Sequence, residues 1–336
     1  MTQKNERNIL FLDFHLTTKT STPKIRGLPL QFTISEIFSH LNELRESNDV
    51  NVIRGRTGEP KEIYLADIRE DLTNKCWYLL INITDTSLAD EVHREIGGTD
   101  QTRTINSKGQ GVGTDFSSHI IINTEPETNG SYIVLYEQNS ALPVKDITSY
   151  LNEIFKRMAK RSPKIYELPH PKNSLDNKGK IKKIKTYLHC FFSGHLSTEF
   201  KSDLDNGNFK EIKLITGKVD SIRGYDSQKH SLLKEILLPI KIDKGQILKA
   251  GGNHNWIDFL RKNIAKDLEM QEIKVSFKDD NDVSHTADID TKTGSLINSE
   301  QYVKKNKITG FHEPLTTSVD LLHKPLIEKM LELLKL

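Results

Sequence analysis

The sequence predicts an α+β protein of two units, each built on a mixed or antiparallel sheet and joined by a basic, proline-containing hinge. Three observations carry that expectation. The chain has 336 residues, more than one ordinary domain holds and enough for two that each bury a core. Short apolar, strand-like runs are interleaved with amphipathic helical stretches along its length. Residues 162–182, SPKIYELPHPKNSLDNKGKIK, break that pattern with three prolines and a series of turn formers, which marks a connector. The division is then an N-terminal α+β domain (1–162), a basic linker (163–182) and a C-terminal α+β domain (183–336).

Taken in order, ILFLDFHL reads as a first strand, and FTISEIFSHLNELRE as a helix. Ile34, Ile37, Phe38, Leu41 and Leu44 recur at helical spacing behind a capping Thr or Ser. KEIYLADI, CWYLLINIT, SHIIIN and YIVLYEQ read as strands. In DITSYLNEIFKRMAKR, Ile147, Tyr150, Leu151, Ile154, Phe155 and Met158 form an apolar stripe at i, i+3, i+4, i+7, i+8 and i+11. Beyond the linker, IKTYLHCFF opens the second half, followed by the strands FKEIKLIT and EILLPIKI. A helix through NWIDFLRKNIAKDLE would place Trp256, Ile257, Leu260, Ile264 and Leu268 on one face. EIKVSF and SHTADID read as a hairpin turning at DDND. A last helix is expected from about Ser318, with Pro325 either kinking it or starting a second one.

Composition narrows the function. Apolar residues make up 35% and charged residues 28%, and no uninterrupted apolar stretch approaches the roughly 20 residues that span a bilayer. The N-terminus has a short apolar run broken by Asp13 and His15, a strand and not a signal peptide. A cytoplasmic location is the expectation. Cys76 and Cys190 stand apart in strand-like contexts, a pattern of two buried thiols that supports neither a disulfide framework nor a zinc site.

Candidate catalytic motifs do not assemble. Gly109, Gly111 and Gly113 lie in GQGVG, but no Lys follows as in a phosphate-binding P-loop. The glycines also run into the strand SSHIIIN, whereas a dinucleotide fingerprint opens a helix. A solvated connector is the better reading, with Arg103 and Lys108 near enough for a backbone contact to nucleic acid. The E-x-K triplets at Glu211–Lys213 and Glu272–Lys274, with Asp203, Asp205 and Asp267 upstream, have the form of a metal-dependent nuclease strand, yet such triplets occur about as often as composition supplies them. The twelve histidines include no H-E-x-x-H, His119 and His189 read as ordinary sheet residues, and no Ser, His and Asp set has a nucleophile-elbow context. No catalytic residue, metal or cofactor is assigned, and enzymatic activity is left undecided with the balance against it.

Charge carries the strongest signal. The net charge of the chain is only +2, but residues 156–185 hold eleven Lys or Arg against Glu167 and Asp176, a local +9. Cations in a last helical turn complement the macrodipole, which accounts for Lys156, Arg157, Lys160 and Arg161. It does not account for Lys178, Lys180, Lys182, Lys183 and Lys185, where strand alternation puts Lys183, Lys185 and Tyr187 opposite Ile184 and Leu188. These nine basic residues are the candidate nucleic-acid-binding set, since both sides of a hinge would then neutralise phosphates.

The order of a glycine-rich loop, S-x-H-I-I-I, YIVLYE, an amphipathic helix and a closing YVKKNKITGF before a terminal helix resembles prophage-encoded exclusion proteins similar to the lambda Rex exclusion protein A. The resemblance is spread over most of the chain. It implies a two-domain, dimeric DNA-binding sensor in phage exclusion that works with a membrane partner, and it brings no catalytic motif. The combined expectation is a cytoplasmic protein that binds nucleic acid, DNA more than RNA, with weak sequence preference, in antiviral defence. The alternatives are a metal-dependent nuclease and a scaffold whose basic stripe meets an acidic protein.

Overall fold

The computed structural model describes residues 5–21, 25, 27–56, 58–94, 103–175, 179–195, 197–216, 236–278, 284–294, 296–297 and 303–334. The elements up to residue 161 are β1 (Glu6–Thr20), α1 (Ile34–Glu46), β2 (Val52–Arg56), β3 (Glu59–Asp71), β4 (Cys76–Asp85), β5 (Glu91–Arg94), β6 (Arg103–Asn106), β7 (Thr114–Pro126), β8 (Tyr132–Glu137) and α2 (Val144–Arg161). They are followed by β9 (Glu167–Pro169), β10 (Lys183–Gly194), α3 (Thr198–Asn206), β11 (Asn208–Thr216), β12 (Ile236–Ile240), α4 (Lys244–Ala250) and α5 (Asn253–Phe259). Last come β13 (Glu272–Lys278), β14 (Ser284–Asp290), β15 (Lys305–Thr309) and α6 (Lys324–Leu334). The fold is α+β, and the strand pairs described are antiparallel.

A nine-stranded sheet runs β2-β3-β4-β7-β8-β1-β10-β9, with β15 pairing β1 in line with β10. Helices α1 and α2 cover one face: the stripes that begin at Ile34 and Ile147 bury against Leu12, Phe14, Leu79, Ile81, Val134 and Leu188. Thr33 caps α1 in a reciprocal box with Glu36, which satisfies two orphan donors at the helix start. Helix α6 covers part of the other face, burying Leu326, Ile327 and Met330 against Ile9, Phe11, Tyr78 and Leu135. Strand β4 is buried on both faces, so CWYLLI reads as an unbroken apolar run and not as an alternation, with Asn82 buried beyond it. Cys76 and Cys190 are buried free thiols.

A second sheet, β12-β11-β13-β14, packs with α3, α4 and α5 around Trp256, Leu260, Ile273, Val275 and Phe277. The hairpin β13–β14 has the expected pairing, and its DDND turn lies outside the described residues. Pairing crosses the boundary drawn at 163–182. Strand β10 is hydrogen-bonded to β1 from Leu12↔Gly194 to Thr20↔Thr186, β9 within the linker pairs β10, and β15 and α6 also join the large sheet. An alternating strand pattern states which face is buried but not which sheet supplies the neighbour.

Two helix expectations change. The expected face through residues 256–268 is interrupted by a π-helical turn at Leu260–Ala265. After Leu260 the next fully buried residue is Ala265, five positions on; Ile264 packs partly against the core, and Leu268 faces solvent at 48% exposure. At the C-terminus the helix starts at Lys324 and not near Ser318. Pro325 sits in the first turn, where its missing N–H would have no helical partner. Residues 311–323 form instead a strap laid across the sheet, with Val319 N–H on Ser117 Oγ at 2.9 Å, Leu322 N–H on Asp67 at 3.2 Å and His323 N–H on His119 Nε2 at 3.0 Å.

Candidate nucleic-acid interface

Alternation along β1 sends Leu12, Phe14 and Thr18 toward the helices and Asp13, His15, Thr17 and Lys19 to the other face. Strand β10 follows the same rule, with Ile184, Thr186, Leu188 and Cys190 buried, Lys183 and Lys185 exposed, and Tyr187 and His189 half-buried. The register sets Lys19 opposite Tyr187 and Thr17 opposite His189. Lys19, Lys183, Lys185, Tyr187 and His189 thus share one face of two paired strands.

The helix layer reaches the same strand at its edge. The Asn152 side chain of α2 donates to Cys190 O and accepts from Cys190 N–H, each at 2.8 Å, copying a strand partner along the open edge of β10. Lys156 and Lys160 follow Asn152 at one-turn intervals and are exposed, so the same helix ridge carries them beside the strand. His189 registers this arrangement: its pKa is lowered by burial first, then by the charges of Lys19 and Lys156. Among the described residues, Lys19, Lys156, Lys160 and Lys185 have no ion-pair partner, while Lys183 lies 3.7 Å from Glu167.

The rest of the expected set is deployed differently. Arg157 donates to Asn51 O at 2.8 Å and reaches Asp49, and Arg161 donates to Ser47 Oγ. Both tie α2 to the connection after α1. Lys182 is exposed, with its backbone in a hairpin to His170 and Ser174. Lys180 is exposed beside it, and Lys178 lies outside the described residues. Sequence reading missed Lys19, whose signal was available: the T-T-K-T tail of β1 continues the inside-outside alternation beyond the apolar run.

Farther along the same face, Ser193 Oγ lies 2.9 Å from His15 Nε2, and His195 Nδ1 lies 2.8 Å from Asp13. Burial lowers the pKa of His15 against the opposing pull of Asp13 and Asp290, which favours the neutral ring at pH 7. Phe191 stacks on that ring at 4.4 Å. These are cross-strand pairs between residues far apart in sequence, so no local motif announces them.

The E-x-K and glycine motifs do not add to the interface. Lys213 neutralises Glu211 within its own triplet at 2.8 Å, and Lys274 faces Asp288 at 3.6 Å. Among the described residues no three His, Cys, Asp or Glu side chains converge as a metal site. At Gly113 a Cβ would come within 2.7 Å of the Asp85 backbone, so glycine lets β7 start flush against the end of β4. Lys108 is bound to Leu88 O, Ala89 O and the Asp90 carboxylate. No helix among the described residues is long and apolar enough to cross a membrane.

No family model matches the chain, and no curated protein matches it.

Proposed function

We propose that the protein binds nucleic acid through the basic surface formed by Lys19, Lys183 and Lys185 on the β1–β10 face and by Lys156 and Lys160 on the adjoining ridge of α2. The observation that carries this reading is the Asn152–Cys190 pair, because it brings the α2 ridge with Lys156 and Lys160 against the edge of the strand that carries Lys183 and Lys185. Three lysines on one face of β1–β10 and two on the helix ridge along the edge of β10, four of the five without a carboxylate partner among the described residues, attract a polyanion. Phosphate contacts of this kind position a backbone without reading bases, so sequence preference is weak. Tyr187 and His189 add flat rings on which bases can stack. The activity is binding and not catalysis.

The resemblance to Rex-like exclusion proteins supports a setting in antiviral defence, with the chain acting in the cytoplasm as a dimeric sensor or effector, on DNA before RNA, beside a membrane partner. The test is a binding titration on DNA and RNA at several salt concentrations. Engaging four phosphates gives a slope of log K against log salt of roughly −3 to −4. Replacing Lys156, Lys160, Lys183 and Lys185 by Gln should flatten that slope and weaken binding to every sequence alike, while Lys324→Gln leaves both unchanged. Equal affinity of parent and quadruple variant at matched salt overturns the reading. So does equal affinity for polyglutamate and DNA, which would assign the surface to an acidic protein.

A further inference from the structure

A separate cavity of about 660 Å³ opens in the second sheet's layer, between the π-helical turn, the bend at residues 266–271 and the turn after β14. Its rim carries Arg261, Lys262, Lys266 and Lys292 against one acid, Glu269. Asp258 neutralises part of this charge, at 3.0 Å from Arg261 and 2.8 Å from Lys262. Lys266 and Lys292 have no carboxylate partner among the described residues.

Three features organise the site. The π-helical turn inserts a residue, so Arg261 and Lys266, five apart, come to one side of the helix, and such turns are concentrated at functional sites. The Arg261 guanidinium is held from behind, donating to Asp258 at 3.1 Å and to Thr291 O and Lys292 O at 3.4 and 3.3 Å. Gly294, at φ +78°, makes room for it: a Cβ there would stand 3.2 Å from the guanidinium carbon. The floor is the buried Met270, whose polarisable thioether suits a flat ring.

We infer that this cavity binds a nucleotide, with Lys266, Lys292, Arg261 and Lys262 on its phosphates and its base against Met270. The volume lies in the range of small-molecule sites. Four cations against Asp258 and Glu269 leave a net charge of +2 at the rim, and the two lysines without a carboxylate partner among the described residues are placed to meet the phosphates of a di- or triphosphate. A phosphorylated nucleic-acid end presents the same phosphate-and-base chemistry, so the two sources need separate arms.

The experiment is calorimetric titration of the full chain with ATP, ADP, AMP, inorganic triphosphate, and an oligonucleotide with and without a 5′-phosphate. Affinity should rise from AMP to ATP, and ATP should exceed inorganic triphosphate. The exposed pair K266Q/K292Q should bind ATP about 10- to 100-fold more weakly, the loss of charge-assisted hydrogen bonds, with an unchanged melting curve. K183Q/K185Q, on the other sheet, should bind ATP like the parent, which separates this site from the proposed nucleic-acid surface. Preference for the 5′-phosphorylated oligonucleotide over both ATP and its unphosphorylated form, lost in K266Q/K292Q, supports the site and identifies the source as a nucleic-acid end. Inorganic triphosphate binding as tightly as ATP, unchanged affinity in K266Q/K292Q, or no binding of any nucleotide or 5′-phosphate at millimolar concentration overturns the inference.

Discussion

Along one face of β1, charged residues at the two ends meet opposite fates. At the start, Arg7 is buried and holds Glu137 at 2.6 Å, and Glu137 in turn accepts from His119 Nδ1 at 2.7 Å and His119 N–H at 3.0 Å. The strap closes over them, with Arg7 donating to Thr316 O at 2.9 Å. At the far end, Lys19 stands exposed among Lys183 and Lys185. Burial decides the difference: under the strap each charge needs a partner, because an unpaired one costs several kcal/mol, whereas in water a lysine tolerates being alone and stays available to a ligand. One end of the face fastens the fold, and the other leaves its cations exposed to solvent.

The largest effect should come from breaking the covered end. Arg7→Met leaves the buried Glu137 carboxylate without its guanidinium partner, and urea unfolding should show a loss of about 3–5 kcal/mol; a loss below about 1 kcal/mol would mean the strap does not seal this end. At the open end the pattern should reverse. The triple change of Lys19, Lys183 and Lys185 to Gln should shrink the salt slope of nucleic-acid binding by nearly three, at about 0.9 for each phosphate, while unfolding moves by no more than about 0.5 kcal/mol. A stability loss matching that of Arg7→Met would erase the contrast.

Acid should separate the ends next. Burial lowers the pKa of His323 and of His15, so the unfolded chain binds protons more readily than the folded one as pH falls below about 6.5, and stability present above that value is lost. For Glu137, burial acts to raise the pKa, but the hydrogen bonds from His119 and the charge of Arg7 prevail and lower it. Its contribution is present above the ordinary carboxylate range and lost in stronger acid. Melting temperature should therefore fall from pH 7 to pH 5 and again below pH 4.5, and a flat profile would contradict this. The smallest effect belongs to His189. Phosphates near it should raise its lowered pKa, so binding should take up protons and tighten modestly between pH 7.5 and 6, a dependence that His189→Gln should abolish.

Much of the large sheet's inner face was legible beforehand. The stripes of α1 and α2 and the alternation Ile184, Thr186, Leu188 in β10 are local consequences of period 3.6 and period 2, and those residues are buried. The candidate interface was legible in half. Lys183 and Lys185 could be read from alternation, but Arg157 and Arg161 look like Lys156 and Lys160 in sequence and serve instead as tethers to Asn51 and Ser47.

By itself, then, the sequence determined the α+β class, the faces of the amphipathic elements and the concentration of positive charge between residues 156 and 185, because each depends on composition or on near neighbours in the chain. Only the tertiary structure decided that β10 belongs beside β1, that Lys19 joins Lys183 and Lys185, that Asn152 draws the helix lysines to the strand edge, and that the residues before Pro325 leave the helix to become a strap. Those outcomes depend on which distant backbone groups pair and which charges are covered. A local pattern carries no record of a partner that the chain brings in from dozens to hundreds of residues away.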